Sequence, residues 1–457
     1  MNEIIAQVLR DFTLDDYRPI HPRELDLGEP LAPRRGNLVK VVIGMRRSGK
    51  SYRLFQEIDE LHAKGVEPSR ICYFNFEDER LFPVTPQTGD EVLEAFFSLH
   101  PEALDEGAYF FFDEIQQMEG WDAWMRRVVD THKATVYVSG SSSRLLSEEI
   151  ATGFRGRGLE FELLPLSFRE WCAFDEGLAE SAKREERTTR DALTLRNAFQ
   201  DYVERGGFPD VRALPGAQSI ALLQSYVQQV VARDVVDRHN FAKPQLAKAV
   251  AQRLLSNNAK PVSLRKLEGD LRAVGLGTAR ETLSDLLGWL AEAYLLFAVR
   301  EFSYSLAQAT TSRPKVYAID PGLALANARA NTNDAGQRLE NAVYLELRRR
   351  SVGLRREAIC SYRTRVHGFE VDFVRGDALD EAPYGLFQVA LNVDERATLA
   401  RETRALWEAM EDAGLDESTL IVADGERCTY EDGGRRIVQV PAWEWFLSDS
   451  LTLGAPR

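Results

Sequence analysis

The stretch VVIGMRRSGKSYRL, running from Val41 to Leu54, decides how the rest of the chain is read. Three apolar residues lead into a turn in which Gly44, Gly49, Lys50 and Ser51 satisfy the pattern GxxxxGK[ST]. A strand, a glycine-rich turn and a helix start in that order form a phosphate-binding loop. The glycines let backbone N–H groups close around phosphate oxygens, the lysine reaches the β and γ phosphates, and the serine hydroxyl serves Mg2+ at a helix N-terminus. The expected ligands are therefore ATP and Mg2+, bound by Gly44, Ser48, Gly49, Lys50, Ser51 and Tyr52, with Lys50 also expected to act in catalysis. Arg46 and Arg47 lie inside the loop although phosphate binding does not require them, so they are expected to meet a neighbouring protomer or a lid.

Working outward, YFFFDEIQ from Tyr109 to Gln116 is an apolar strand that ends in two carboxylates. Asp113 is expected to hold Mg2+ through water. Glu114 is expected to orient and deprotonate an attacking water, which favours hydrolysis over simple nucleotide binding. The next apolar run, TVYVSG, ends in SGSSSRLL, and Ser141, rather than Ser139, is expected to sense the γ phosphate. In ATGFRGRGLEF, Arg155 and Arg157 flank Gly156 and are candidates for an arginine supplied in trans to a neighbour's site, a role they share with the plainer alternative of surface ion pairs.

Between Asn37 and about Leu166, apolar runs alternate with helical stretches, which predicts a parallel sheet covered on both faces. From Ser167 to about His239 the pattern is helical, broken at ERGGFPD. Residues 241–330 read as three helices followed by two strands, a winged helix-turn-helix order, with Arg280 near the start of the third helix and Lys260, Arg265 and Lys266 before it. Residues 331–457 read as a second α/β domain opened by the helix QRLENAVYLELRRR. The expected boundaries are thus 1–166, 167–240, 241–330 and 331–457.

Composition narrows the classes. The chain has 457 residues, 44% hydrophobic and 28% charged, with 18 prolines, which describes a folded multidomain protein rather than a disordered one. The run Leu286 to Val299 is too short to cross a bilayer and carries Glu292, so no membrane partner is expected. The amphipathic, acidic N-terminus lacks a signal peptide's apolar region, and Cys72, Cys172, Cys360 and Cys428 show no metal or disulfide spacing; a cytoplasmic location is the expectation. A net charge of −14 disfavours diffuse nucleic-acid binding, although LRRRSVGLRR (347–356) and KREERTTR (183–190) cluster positive charge and read as solvated helix faces.

Taken in order, GMRRSGKSY, FNFEDERL, FFDEIQQMEGW, SGSSSRLLSEEIATGFRGR, ELLPLSFREW and GGFPD closely resemble the prokaryotic AAA+ ATPases that carry a C-terminal DUF4143 region. The resemblance covers nearly the whole chain. It implies an AAA+ core with a helical lid, a homo-oligomer with a hexameric ring among its forms, a winged helix, and a C-terminal domain like the PD-(D/E)XK nucleases. It maps Pro209, after Gly206 and Gly207, to a proline that lies against the adenine, a role shared with the plainer alternative of a tight turn between lid helices. In the nuclease-like part Glu340, Asp372 and Gln388 match the acidic metal-binding pattern, but Ala390 stands where the lysine belongs and no lysine follows Lys315. Only an arginine, such as Arg363 or Arg365, is expected to stand in, and a guanidinium is not equivalent. The vestigial Glu340–Asp372 site is thus expected to belong to an inactive domain that binds DNA or mediates assembly. Two functions compete: an ATP-driven oligomer that remodels DNA, branched or junction DNA in particular, and an ATP-dependent switch that recruits a protein partner. An ATP-fuelled nuclease is a third.

Overall fold

The computed structural model describes residues 2–141, 156–303, 312–328, 335–351, 358–376 and 383–448. They fall into two compact units, one of Met1–Leu164 with Glu292–Tyr294 and the other of Pro165–Ala291 with Leu295–Arg457.

The first unit opens with α1 (Glu3–Asp11), and an irregular arm then leads into β1 (Val39–Ile43) and α2 (Lys50–Ala63). There follow β2 (Ile71–Asn75), α3 (Pro86–Leu99), α4 (Glu102–Glu106), β3 (Ala108–Asp113), α5 (Trp121–Thr131), β4 (Ala134–Gly140) and β5 (Gly158–Glu162). The five strands form one sheet in the order β2-β3-β4-β1-β5, and every pairing is parallel. β1, β3 and β4 are buried along their whole length, which is why they read as continuous apolar runs rather than alternating ones. The one lysine in that interior, Lys40, keeps its ammonium satisfied by the carbonyls of Gly28 at 3.0 Å and Glu29 at 2.9 Å. Phe111 stacks on Tyr137 across β3 and β4 with ring centroids 4.6 Å apart, and Leu54, Phe55 and Ile58 of α2 pack on the same layer. β1 and β3 sit apart in the sheet with β4 between them, so the loop after β1 and the carboxylates after β3 share the sheet's C-terminal edge.

The second unit begins with α6 (Phe168–Cys172), α7 (Glu176–Lys183), α8 (Thr189–Arg205) and α9 (Gly216–Val230), which runs into a π-helical segment, Val231–Asp237. Capping boxes start α6 at Ser167 with Glu170 and α8 at Thr188 with Asp191. Then come α10 (Pro244–Leu255), β6 (Lys260–Pro261), α11 (Leu264–Ala273), α12 (Arg280–Glu292), β7 (Leu296–Val299) and β8 (Lys315–Ala318), the strands forming an antiparallel sheet in the order β6-β8-β7. After α13 (Pro321–Asn327) and α14 (Ala335–Arg349) come β9 (Ile359–Arg363), β10 (Glu370–Arg375), β11 (Gly385–Ala390), α15 (Arg396–Ala413), β12 (Glu417–Val422), β13 (Cys428–Asp432), β14 (Arg435–Pro441) and α16 (Ala442–Leu447). These six strands make a mixed sheet, β13-β14-β12-β11-β10-β9. The chain beyond β7 pairs with β9, since Phe302 N–H donates to the Ser361 carbonyl at 2.8 Å and Ser361 N–H to that of Arg300 at 3.1 Å. The small sheet and the large one are thereby joined, and β8 is buried throughout. Among the described residues no helix is long and apolar enough to cross a membrane.

Candidate nucleotide site

α2 starts at Gly49, whose φ of 95° lies in the left-handed region that glycine adopts without strain. At Gly44, φ is 157°, and a Cβ there would stand 2.2 Å from the Leu163 carbonyl oxygen, so only glycine fits. The loop between them encloses the Ser48 hydroxyl, which is buried without a protein partner among the described residues. A buried orphan hydroxyl in a glycine cradle at a helix start fits a phosphate chain.

Lys50 is buried, with its ammonium 3.2 Å from the Met45 carbonyl and 3.7 Å from a Glu114 carboxylate oxygen. Asp113 accepts hydrogen bonds from Tyr73 Oη at 2.8 Å, from Ser139 Oγ and from Ser51. Burial, reinforced by the neighbouring Glu114 charge, raises the Asp113 pKa, and these three hydroxyls oppose the rise. Glu114 behaves in the opposite way. Burial works against its charge, but Lys50 and then Arg46 outweigh it and hold the carboxyl below its ordinary range. Glu114 has a φ of 50°, a left-handed conformation that costs a non-glycine residue about 1 kcal/mol or more and that turns its side chain off the end of β3. Gln116 donates to Glu114 and, at 3.1 Å, to Ser141 Oγ. Ser139 therefore sits on Asp113, and Ser141 sits on the Glu114–Gln116 pair.

Arg46 turns inward, its guanidinium 3.0 Å from Glu77, whereas Arg47 is exposed with a φ of 70°. Tyr52 lies on the outer side of α2, 44% exposed and edge-on to Phe55. Arg157 forms an exposed ion pair with Asp130, and Arg155 lies outside the described residues. A residue missed by sequence reading is Arg23, on the arm before β1. Its guanidinium is buried and donates to the Ser48 carbonyl at 2.7 Å and to the Leu164 carbonyl at 2.7 Å, tying the phosphate loop to the end of the unit. No sequence signal marks it, because an arginine that bonds two backbone carbonyls needs no motif of its own.

In the second unit, Pro209 begins a short 3-10 turn after Gly206 and Gly207. That turn is held by Asp320, which accepts from Gly207 N–H at 2.6 Å and from Leu323 N–H at 2.8 Å, and whose pKa burial pushes up to about 6. The basic run at 347–356 is not a solvated face where it is described. Arg348 stacks over Phe297 at 4.3 Å, Arg349 donates to the Pro165 carbonyl at 2.7 Å, and Arg350 donates to the Trp445 carbonyl at 2.9 Å. In 183–190, Arg184 pairs with Asp191, and Arg187 donates to the Ala182 carbonyl. Arg280 is likewise paired, 2.8 Å from Glu268.

Glu340 of α14, Asp372 of β10 and Gln388 of β11 do come together, with Asp372 N–H donating to Gln388 Oε1 at 3.2 Å. Gln388 in turn donates to Glu402 of α15 at 2.7 Å. The expectation that only an arginine could stand in for the lysine does not hold. Lys315, from β8, places its ammonium 3.0 Å from Glu340, 2.7 Å from Glu370 and 3.6 Å from Asp372. It was missed because it belongs to a strand read as part of a separate wing. Arg363 pairs instead with Glu370, at 2.8 Å.

Comparison with known proteins agrees with the first unit. Residues 36–172 match the AAA domain family, and residues 196–334 match a domain of unknown function, DUF8612, where the sequence resemblance had pointed to DUF4143. Among solved structures, the Walker-type ATPase PABY2304 of Pyrococcus abyssi is similar at a TM-score of 0.43 and 14% identity, over 64% of this chain and 91% of that one. An uncharacterized protein of Haemophilus influenzae is 28% identical over 79% of this chain and 84% of its own length. The protein MJ1544 of Methanocaldococcus jannaschii is 33% identical over 418 residues, 90% of this chain and 89% of the relative. This chain belongs to the same family as MJ1544, and its first unit carries an AAA domain of the P-loop ATPase type.

Proposed function

We propose that the chain is an ATP-hydrolysing AAA oligomer whose second unit acts on DNA. The observation that carries the ATPase part is the meeting of Lys50, Ser51, Asp113 and Glu114 at one sheet edge beside an orphaned loop hydroxyl. Gly44, Ser48, Gly49 and Lys50 bind the phosphates of the substrate ATP. Ser51 and Asp113 would hold Mg2+, which when bound supplies positive charge to the β and γ phosphates. Glu114, kept ionised by Lys50 and Arg46, takes a proton from water as the water oxygen bonds to the γ phosphorus. The bond from that phosphorus to the β–γ bridging oxygen breaks, and ADP and phosphate leave. The proposed sensor of the γ phosphate is Ser141, a reading supported by its hydrogen bond from Gln116 beside Glu114. Among the described residues the Arg157 side chain is held by an exposed pair with Asp130, which is worth about 0–1 kcal/mol, so it can exchange partners for a neighbour's phosphate at little cost. Arg155 shares that proposed role, and Pro209 that of an adenine contact.

For the second unit, support for DNA comes from two arrangements. α10, α11 and α12 with the β6-β8-β7 sheet follow the winged-helix order, and Glu340, Asp372 and Gln388 follow the nuclease pattern on a mixed sheet. Junction DNA is the form such a domain suits best. A specific observation favours the other reading, a switch that recruits a protein partner: Arg280, Arg348, Arg349 and Arg350 are engaged within the chain rather than offered to phosphates. One panel separates them. ATP turnover and oligomer size are measured with duplex, single-stranded and four-way DNA at low salt, where electrostatic attraction is strongest, alongside Glu114→Gln. Turnover stimulated by DNA and abolished in Glu114→Gln is the expected result. Turnover without binding to any DNA form leaves the ATPase standing and replaces the DNA reading with the switch.

A further inference from the structure

The nuclease pattern implies a divalent metal, and the residues brought together here do not suit one. Glu370 and Asp372 of β10 meet at the Lys315 ammonium, where a bulge interrupts the β10–β9 register between Val371 and Val374, and Glu340 joins them from α14. Into this group β8 delivers one ammonium, buried and within 3.6 Å of all three carboxylates. Lysine carries three N–H donors on a compact charge, so one donor can be directed toward each carboxylate. Each carboxylate also accepts from a second donor, on the same oxygen in Glu340 and on the other oxygen in Glu370 and Asp372. Tyr317 Oη donates to Glu340 Oε1 at 2.7 Å, Arg363 to Glu370 Oε2 at 2.8 Å, and Val389 N–H to Asp372 Oδ2 at 2.9 Å. Mg2+ or Mn2+ needs several oxygens converging at about 2.0–2.2 Å, and here it would have to share those oxygens with a cation already in place.

We infer that Lys315 is the resident cation of the Glu340–Glu370–Asp372 cluster, filling the role of a divalent metal and keeping metal out. Closure of the path is not the reason. A cavity of about 300 Å3 reaches Lys315 and Glu370 at the edge of the cluster, lined also by Arg313 and Arg363, so the exclusion is electrostatic. Among the described residues, no group of three or more His, Cys, Asp or Glu is arranged to hold a metal ion. Without a metal to acidify water, the cluster has no nucleophile for phosphodiesters. It serves instead to fasten β8 to α14 and β10. This inference stands whatever the second unit binds.

The test uses the full-length, nucleotide-free chain carrying Asp113→Asn, so that the phosphate-loop carboxylate cannot contribute, and Mn2+ as the probe. Free Mn2+ is followed by electron paramagnetic resonance in this parent, in Lys315→Met and in Lys315→Met/Asp372→Asn. The parent is expected to show no Mn2+ binding that depends on Asp372. Lys315→Met is expected to gain one site per chain, tightened about tenfold or more, lost again with Asp372→Asn, and accompanied by a rise in melting temperature on adding Mn2+. The inference is overturned if the parent binds Mn2+ and Asp372→Asn alone abolishes it, or if a folded Lys315→Met gains nothing. Should Lys315→Met fail to fold, the parent compared with its Asp372→Asn derivative decides the question.

Discussion

Lys50 and Lys315 are both buried lysines facing carboxylates, and they are held in opposite ways. Lys50 stands on a glycine loop, 3.7 Å from Glu114 and close to a hydroxyl that has no protein partner. Its surroundings are incomplete until something with phosphate oxygens arrives. Lys315 stands on a strand buried along its whole length, with three carboxylates around it that are themselves bonded to a tyrosine, an arginine and a backbone amide. The same pair of side-chain types thus makes a candidate site where a partner is left wanting and a fastening where each carboxylate has a second donor. Burial alone does not distinguish the two, since both lysines are nearly inaccessible.

The sharpest way to break this contrast is at Glu114. Glu114→Gln is expected to lower ATP turnover by about 10²–10⁴-fold while leaving nucleotide binding in place, measured by phosphate release beside binding of a fluorescent ATP analogue. Next comes the paired replacement of the two lysines. Lys315→Met strands buried carboxylates and is expected to cost about 3–5 kcal/mol in metal-free denaturant unfolding. Lys50→Met is expected to cost about 1 kcal/mol or less and to abolish nucleotide binding, because functional sites tend to be poorly optimised for stability. Equal losses for the two would mean that they are held alike after all. A smaller effect is expected at Arg23, where Arg23→Gln removes charge-assisted bonds to two carbonyls. The KM for ATP should rise by about 3–10-fold with kcat changed less, equivalent to about 0.7–1.4 kcal/mol for the two bonds together. Smallest is Arg157→Ala, expected to leave stability within about 1 kcal/mol because both partners of the pair are exposed. Its turnover at protein concentrations above and below assembly tests whether the freed arginine acts in trans.

How far the sequence could be read follows the same division. Gly44, Gly49, Lys50 and Ser51 are legible because a phosphate loop is a local device whose residues must be contiguous. Asp113 and Glu114 are legible because a buried apolar strand ending in two carboxylates is unusual. Lys315 is not legible, because its role depends on β7 and β8 being joined to the large sheet through Arg300, Phe302 and Ser361. The strand spacing announces two pieces and hides the seam. Arg348, Arg349 and Arg350 misled in the reverse sense. A run of positive charge looks like a surface, yet Arg348 lies over the Phe297 ring while Arg349 and Arg350 carry their guanidinium groups to backbone carbonyls. Asp320 and the GGFPD turn lie 113 residues apart along the chain, and only the folded structure shows that one holds the other.

Arg23 lies 13 positions before residue 36, where the match to the AAA domain begins. The recognisable module and the working module therefore have different edges. A chain trimmed to the matched span would keep every glycine, lysine and carboxylate of the site but lose the guanidinium that anchors the Ser48 carbonyl. It would also lose the Gly28 and Glu29 carbonyls that satisfy the buried Lys40, so weak nucleotide affinity in such a fragment would not be a property of the parent.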